Sequence, residues 1–67
     1  MKNRFFLEFA WLDEENPLIV YTETAHYDTL GEALDGAAAA VEFAETVKIW
    51  DELPDALTTL VLDWIRC

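Results

Sequence analysis

From Phe5 to Val47 the chain carries no Lys and no Arg, yet ten acidic residues fall there. They are Glu8, Asp13, Glu14, Glu15, Glu23, Asp28, Glu32, Asp35, Glu42 and Glu45. Asp51, Glu52, Asp55 and Asp63 complete a total of 14 acids against 4 basic residues, a net charge of −10. With no basic neighbour to pair with, these carboxylates repel one another, and that repulsion works against a compact state. A net charge of about 2 to 8 is usually enough for solubility. The excess points to a use for the charge.

The same stretch is rich in apolar residues, which make up 54% of the 67-residue chain. Acidic disordered segments lack aromatic and β-branched residues; this chain has both, so it is expected to fold, as one domain spanning 1–67. A basic nucleic-acid binder is excluded, because phosphates would be repelled. A disulfide-stapled module is excluded by the single Cys67. No segment approaches the roughly 20 apolar residues of a membrane span. Lys2 and Arg4 resemble a basic leader, but Glu8 interrupts the apolar run that follows. A cytosolic location, with Cys67 reduced and inert, is the expectation.

Residues 4–12 alternate as a strand, with Phe5, Leu7, Phe9 and Trp11 on one face and Arg4, Phe6, Glu8 and Ala10 on the other. Residues 13–17 are turn chemistry, and 18–22 form a second strand, giving an antiparallel hairpin with a carboxylate-rich loop. Thr29 and Glu32 match a capping box. From there Leu30, Leu34, Ala37, Ala38 and Val41 recur at helical spacing, with the end expected at 42–44. Gly36 costs this helix about 1 kcal/mol against Ala. Residues 46–50 alternate as a third strand, and 51–56, with Pro54, form a connection.

Residues 57–66 fit two patterns. As a strand, Leu60, Leu62 and Trp64 face inward; as a helix, Leu57, Leu60, Val61, Trp64 and Ile65 form a stripe. Thr58, Thr59 and Val61 favour the strand. The fold class is therefore α+β, a small antiparallel sheet with one helix on a face, ββαββ; the helical alternative is ββαβα.

Candidate chemistry is sparse. Asp13, Glu14 and Glu15 lack the alternating ligands, Gly and distal Glu of a calcium loop, so a solvated hairpin tip is expected and no metal or other cofactor. His26 is placed in the connection entering the helix, beside Tyr27 and Asp28, without an evident nucleophile. Neither an enzyme nor a catalytic residue is expected. The two dense, unneutralised clusters, Asp13–Glu15 and Glu32 with Asp35, are the candidate partner-binding residues. Glu42 and Glu45 are expected to project together in the same way as Glu32 and Asp35. One helix covers one sheet face, so Phe6, Trp50 or Tyr21 is expected on the other.

In length, in its basic-free stretch and in its compact α+β pattern, the chain resembles the small acidic proteins that phages and mobile elements direct against host defence, above all the anti-CRISPR proteins. That resemblance implies a non-enzymatic inhibitor whose acidic surface imitates DNA and blocks a CRISPR effector complex or another basic DNA-binding protein. It implies no direct contact with nucleic acid or membrane, and a monomer or weak dimer. The run Tyr27–Leu34 after a strand is also similar to the helix entry of HicB-like antitoxins. Those usually carry an additional DNA-binding part, which these residues do not include, and often an acid where Gly31 stands. That second resemblance implies an acidic antitoxin-like or adaptor partner of a basic protein.

Overall fold

The computed structural model describes residues 3–52 and 58–67. Its elements are β1 (Phe5–Leu12), β2 (Val20–Tyr27), α1 (Leu30–Ala40), β3 (Thr46–Asp51) and β4 (Thr59–Ile65). The strands form one antiparallel sheet in the order β2-β1-β3-β4, with α1 packed on one face. The fold is the α+β, ββαββ arrangement that the residue pattern predicts, and residues 59–65 are strand rather than helix. Leu57 and the connection over 53–56 lie outside the described residues.

The alternation in β1 sets the two faces. Phe5 and Leu7 are buried, and they pair with Asp51 and Ile49 of β3. Directly paired residues share a face, so Val47 and Ile49, both fully buried, join them under the helix. The helix presents Ala33, Ala37 and Ala40, followed by Ala44 in the turn beyond it. These are one face at helical spacing, and they carry only methyl groups. Leu34, expected on that face, is 43% exposed. The alanine face brings the backbone so near the sheet that the larger side chain is left outside. Leu30 and Val41 pack at the margin of the core.

Gly36 belongs to this close approach. A Cβ built there would lie 2.9 Å from Tyr27 Cζ, nearer still to its hydroxyl, and 3.2 Å from Leu7 Cδ2. Gly31, one turn earlier and outward, has no atom within 4 Å of such a Cβ.

The structure departs from the expectation in β2, in the end of α1 and in the register of β4. β2 begins at Val20 and runs to Tyr27, because each residue of β1 from Phe5 to Leu12 finds a partner on it. The expected start at Leu18 fails, since Leu18 and Ile19 belong to the loop. There the Ile19 N–H donates to Asn16 O and the Asp13 N–H to Ile19 O. β2 is an edge strand exposed along most of its length, so its sequence shows no apolar alternation that could have marked it. The regular helix stops at Ala40, and the chain winds on through a turn in which the Ala44 N–H reaches Ala40 O at 2.8 Å. In β4 the register shifts: Ile49 pairs with Leu62, but Trp50 pairs with Leu60. This irregularity moves Leu60 from the expected inner face to the open one.

Two arginines tie the sheet to its surroundings. Arg4 donates to both oxygens of Asp51, at 2.8 and 3.0 Å, and lies over the Phe5 ring. Arg66, just past β4, donates to Ala44 O at 3.0 Å and to Val41 O. The last carbonyls of a helix lack internal partners and carry partial negative charge. α1 has no basic residue in its own last turn, so Arg66 supplies that cation from across the sheet.

The two glycines should respond in opposite senses. Gly31→Ala should stabilise the protein by about 0.5–1 kcal/mol through helix propensity. Gly36→Ala should destabilise it by about 1–3 kcal/mol, because Tyr27 and Leu7 must move. Urea unfolding of both variants checks this; equal stabilisation would mean that Tyr27 does not limit the helix.

Candidate partner-binding surface

The hairpin tip is held by Asp13. One of its oxygens accepts the N–H groups of Glu15 at 2.8 Å and Asn16 at 3.1 Å; the other accepts the Tyr21 hydroxyl at 2.8 Å. Asp13 is thereby engaged within its own loop, while Glu14 and Glu15 are exposed. The Tyr21 hydroxyl, with the two backbone donors, holds the Asp13 carboxyl below its ordinary pKa. The same bond pushes the Tyr21 hydroxyl above its own.

Glu32 and Asp35 are exposed on the outer side of α1. The capping box forms: the Glu32 N–H donates to Thr29 Oγ1 at 3.2 Å, and that hydroxyl donates back to Glu32 Oε1 at 3.0 Å. Asp28, at the entrance to the helix, accepts the Asn3 N–H. At about 100° per residue, Glu32 and Asp35, three apart in α1, fall along one side, and Asp28 precedes the extended Thr29 cap. The structure does not bring Glu32 and Asp35 together with the tip. The helix entrance lies beside the start of β1 and the tip follows its end, about 23 Å away at 3.3 Å per residue. Glu42 and Glu45 do not project from the helix as a pair. Glu42 is in the turn, and Glu45 enters β3, where its N–H donates to Ala10 O.

The described cations are all on other duties or on the other face. Arg4 and Arg66 are bound as above. Lys48 stands on the open face between Glu8 of β1 and Asp63 of β4. Arg4 holds the Asp51 carboxyl below its ordinary pKa through their hydrogen bonds.

The open face also carries a row His26, Phe6, Trp50 and Leu60. Phe6 sits 6.1 Å from Trp50, nearly parallel, and 5.6 Å from His26. Trp50 Nε1 is enclosed there without an acceptor among the described residues. His26 lies in β2 rather than in a connection, because the β1 ladder extends to Tyr27; its Nε2 is 3.6 Å from Glu52. Phe6 and Trp50 occupy the open face as expected. Tyr21 does not: its partner is Trp11, which places it on the helix side.

That pairing creates a feature that the sequence reading missed. Trp11 stacks on Tyr21 at 5.6 Å and on Phe9 at 5.7 Å, and Phe43 meets it edge-on at 5.8 Å. The helix stops short of this end of the sheet. An open groove of about 600 Å³ remains, lined by Trp11, Leu12, Asp13, Glu14, Glu15, Tyr21 and Phe43. Phe43 is 53% exposed although the residue type suggests core. The hairpin register would have revealed the Trp11–Tyr21 pair, but it depends on a seven-residue loop whose length the sequence alone does not fix.

Among the described residues no group of His, Cys, Asp or Glu is arranged to hold a metal ion. No helix there is long and apolar enough to cross a membrane. Comparison of the chain with protein-family models, curated proteins and solved structures finds no match.

The Asp13–Tyr21 bond has a pH window. The lowered carboxyl contributes stability above about pH 4, its unfolded value, and loses it as pH falls through the folded value. The raised hydroxyl contributes below about pH 10 and loses it as pH rises through its folded value. The Trp11 indole resonance, which reports on Tyr21, should therefore hold steady between those limits. Tyr21→Phe removes the main cause of the Asp13 shift, so the acid midpoint should move up toward 4; an unmoved midpoint would contradict the assignment.

Proposed function

We propose that this protein is a non-enzymatic inhibitor that binds a basic, DNA-binding protein through its carboxylates and so occupies the surface DNA would use. The observation that carries this reading is the segregation of charge. Glu14, Glu15, Asp28, Glu32, Asp35 and Glu42 are exposed, while Arg4 and Arg66 are held in the scaffold and Lys48 lies on the opposite face. A positively charged channel built for phosphates would attract this surface and steer it in. The resemblance to anti-CRISPR proteins makes a CRISPR effector complex the first target to test.

The experiment is competition. The protein should displace duplex DNA from the effector complex at 0.1 M salt. The displacement should fall steeply toward 1 M, as the Debye length shrinks from about 10 to 3 Å. Glu32→Lys with Asp35→Lys should weaken binding by about tenfold or more while leaving the thermal midpoint unchanged or higher. Simultaneous binding of DNA and protein at full strength would overturn mimicry and favour an acidic adaptor of a basic partner. Binding that ignores salt would overturn the charge argument altogether.

A further inference from the structure

The groove at the end of the sheet combines two properties. Its walls are aromatic faces left partly open, with Tyr21 at 43% and Phe43 at 53% exposure. Its rim is acidic, and no described cation is paired with Glu14 or Glu15. Aromatic faces carry negative potential and attract cations. Carboxylates beside such a face add charge and hydrogen-bond acceptors. The third acid of the rim, Asp13, is already engaged by Tyr21 and two N–H groups, which fixes the wall and the rim relative to one another. The volume of about 600 Å³ is that of a small-ligand site, larger than one cationic head and sufficient for a side chain with its flanking backbone.

We propose that this groove receives an arginine side chain of the basic partner, its guanidinium stacked against the open Tyr21 and Phe43 rings beside Trp11 and paired with Glu14 and Glu15. The inference rests on the partner being basic and names the chemistry by which one end of the surface holds it. Arginine rather than lysine fits for two reasons. A planar guanidinium stacks on aromatic rings and is less strongly hydrated than an ammonium. Its fork of donors also satisfies carboxylates on two sides at once. The acids of α1, about 20 Å away along the sheet, then act as a diffuse attraction, while the groove supplies a specific anchor of the aromatic-and-arginine kind that dominates interfaces.

The test uses the intact protein with two capped peptides of equal length and charge, one arginine–glycine and one lysine–glycine, followed by NMR. The arginine peptide should shift the Trp11 indole and the Phe43 ring while leaving the Trp50 and Trp64 indoles in place. It should bind about threefold or more tightly than the lysine peptide. Glu14→Gln with Glu15→Gln should weaken it by about tenfold. Glu32→Gln with Asp35→Asn, removing the same charge beyond the Debye length, should weaken it by less than about twofold. Phe43→Ala, at an exposed position, keeps the charge and should also weaken it; a preserved thermal midpoint shows that the fold survives. An unmoved Trp11 indole, equal affinity for the two peptides, or equal loss from the two acid pairs would overturn the proposal. The two readings fail separately. A groove that ignores arginine while the protein still displaces DNA removes the anchor alone. A groove that binds arginine in a protein that displaces no DNA removes the inhibitor reading alone.

Discussion

The contact between three alanines of α1 and the Leu7, Val47 and Ile49 side chains of the sheet sets the rest of the molecule. Methyl-faced helices pack close, and here the approach leaves no room for even a Cβ at position 36. A close helix covers little width. It shields the middle of the inner face and stops at Ala40, before the Trp11 end. What lies past it, the stacked Trp11 and Tyr21 with Phe43 beside them, stays open to solvent. The core is correspondingly small. Eight of the described residues form it, four of them alanine, so marginal contributions such as the Arg66 cap matter in proportion.

Charge is divided by the same geometry. The arginines sit where backbone or a single carboxylate requires a cation: Arg4 at Asp51, Arg66 at the helix end. Neither neutralises the outer side of α1 or the hairpin tip. The acids there repel one another, which lowers stability, and a partner with a basic surface would relieve that repulsion on binding. If these positions form the proposed binding surface, stability and function are opposed there.

Much of the fold was legible because β1, β3 and α1 carry strong local signals. Phe5, Leu7, Val47 and Ile49 alternate with the period of a strand, and Thr29 and Glu32 mark the helix start unambiguously. The failures share a cause, which is that register and proximity are tertiary properties. β2 lacked alternation because an edge strand is wet on both sides. Period alone points Leu34 and Leu60 inward; close alanine packing in one case and a shifted register in the other put them outside. Of the candidate site, Glu14, Glu15, Glu32 and Asp35 are exposed as the clusters implied. Asp13 is not free, since an Asp beside a turn readily bonds its own backbone, and the Tyr21 hydroxyl reaches it only because of the hairpin register.

On the proposed function, binding uses the carboxylates of the tip and the outer helix and leaves the open sheet face alone. Carboxyl footprinting by carbodiimide labelling and mass spectrometry reads each acid separately, in the free protein and in complex with a DNA-binding target. Glu14, Glu15, Glu32 and Asp35 are expected to lose reactivity on binding, while Glu8 and Asp63, flanking Lys48 on the open face, keep theirs. Protection of Glu8 and Asp63 with the tip and helix acids unchanged would contradict the account and turn the molecule around on its partner.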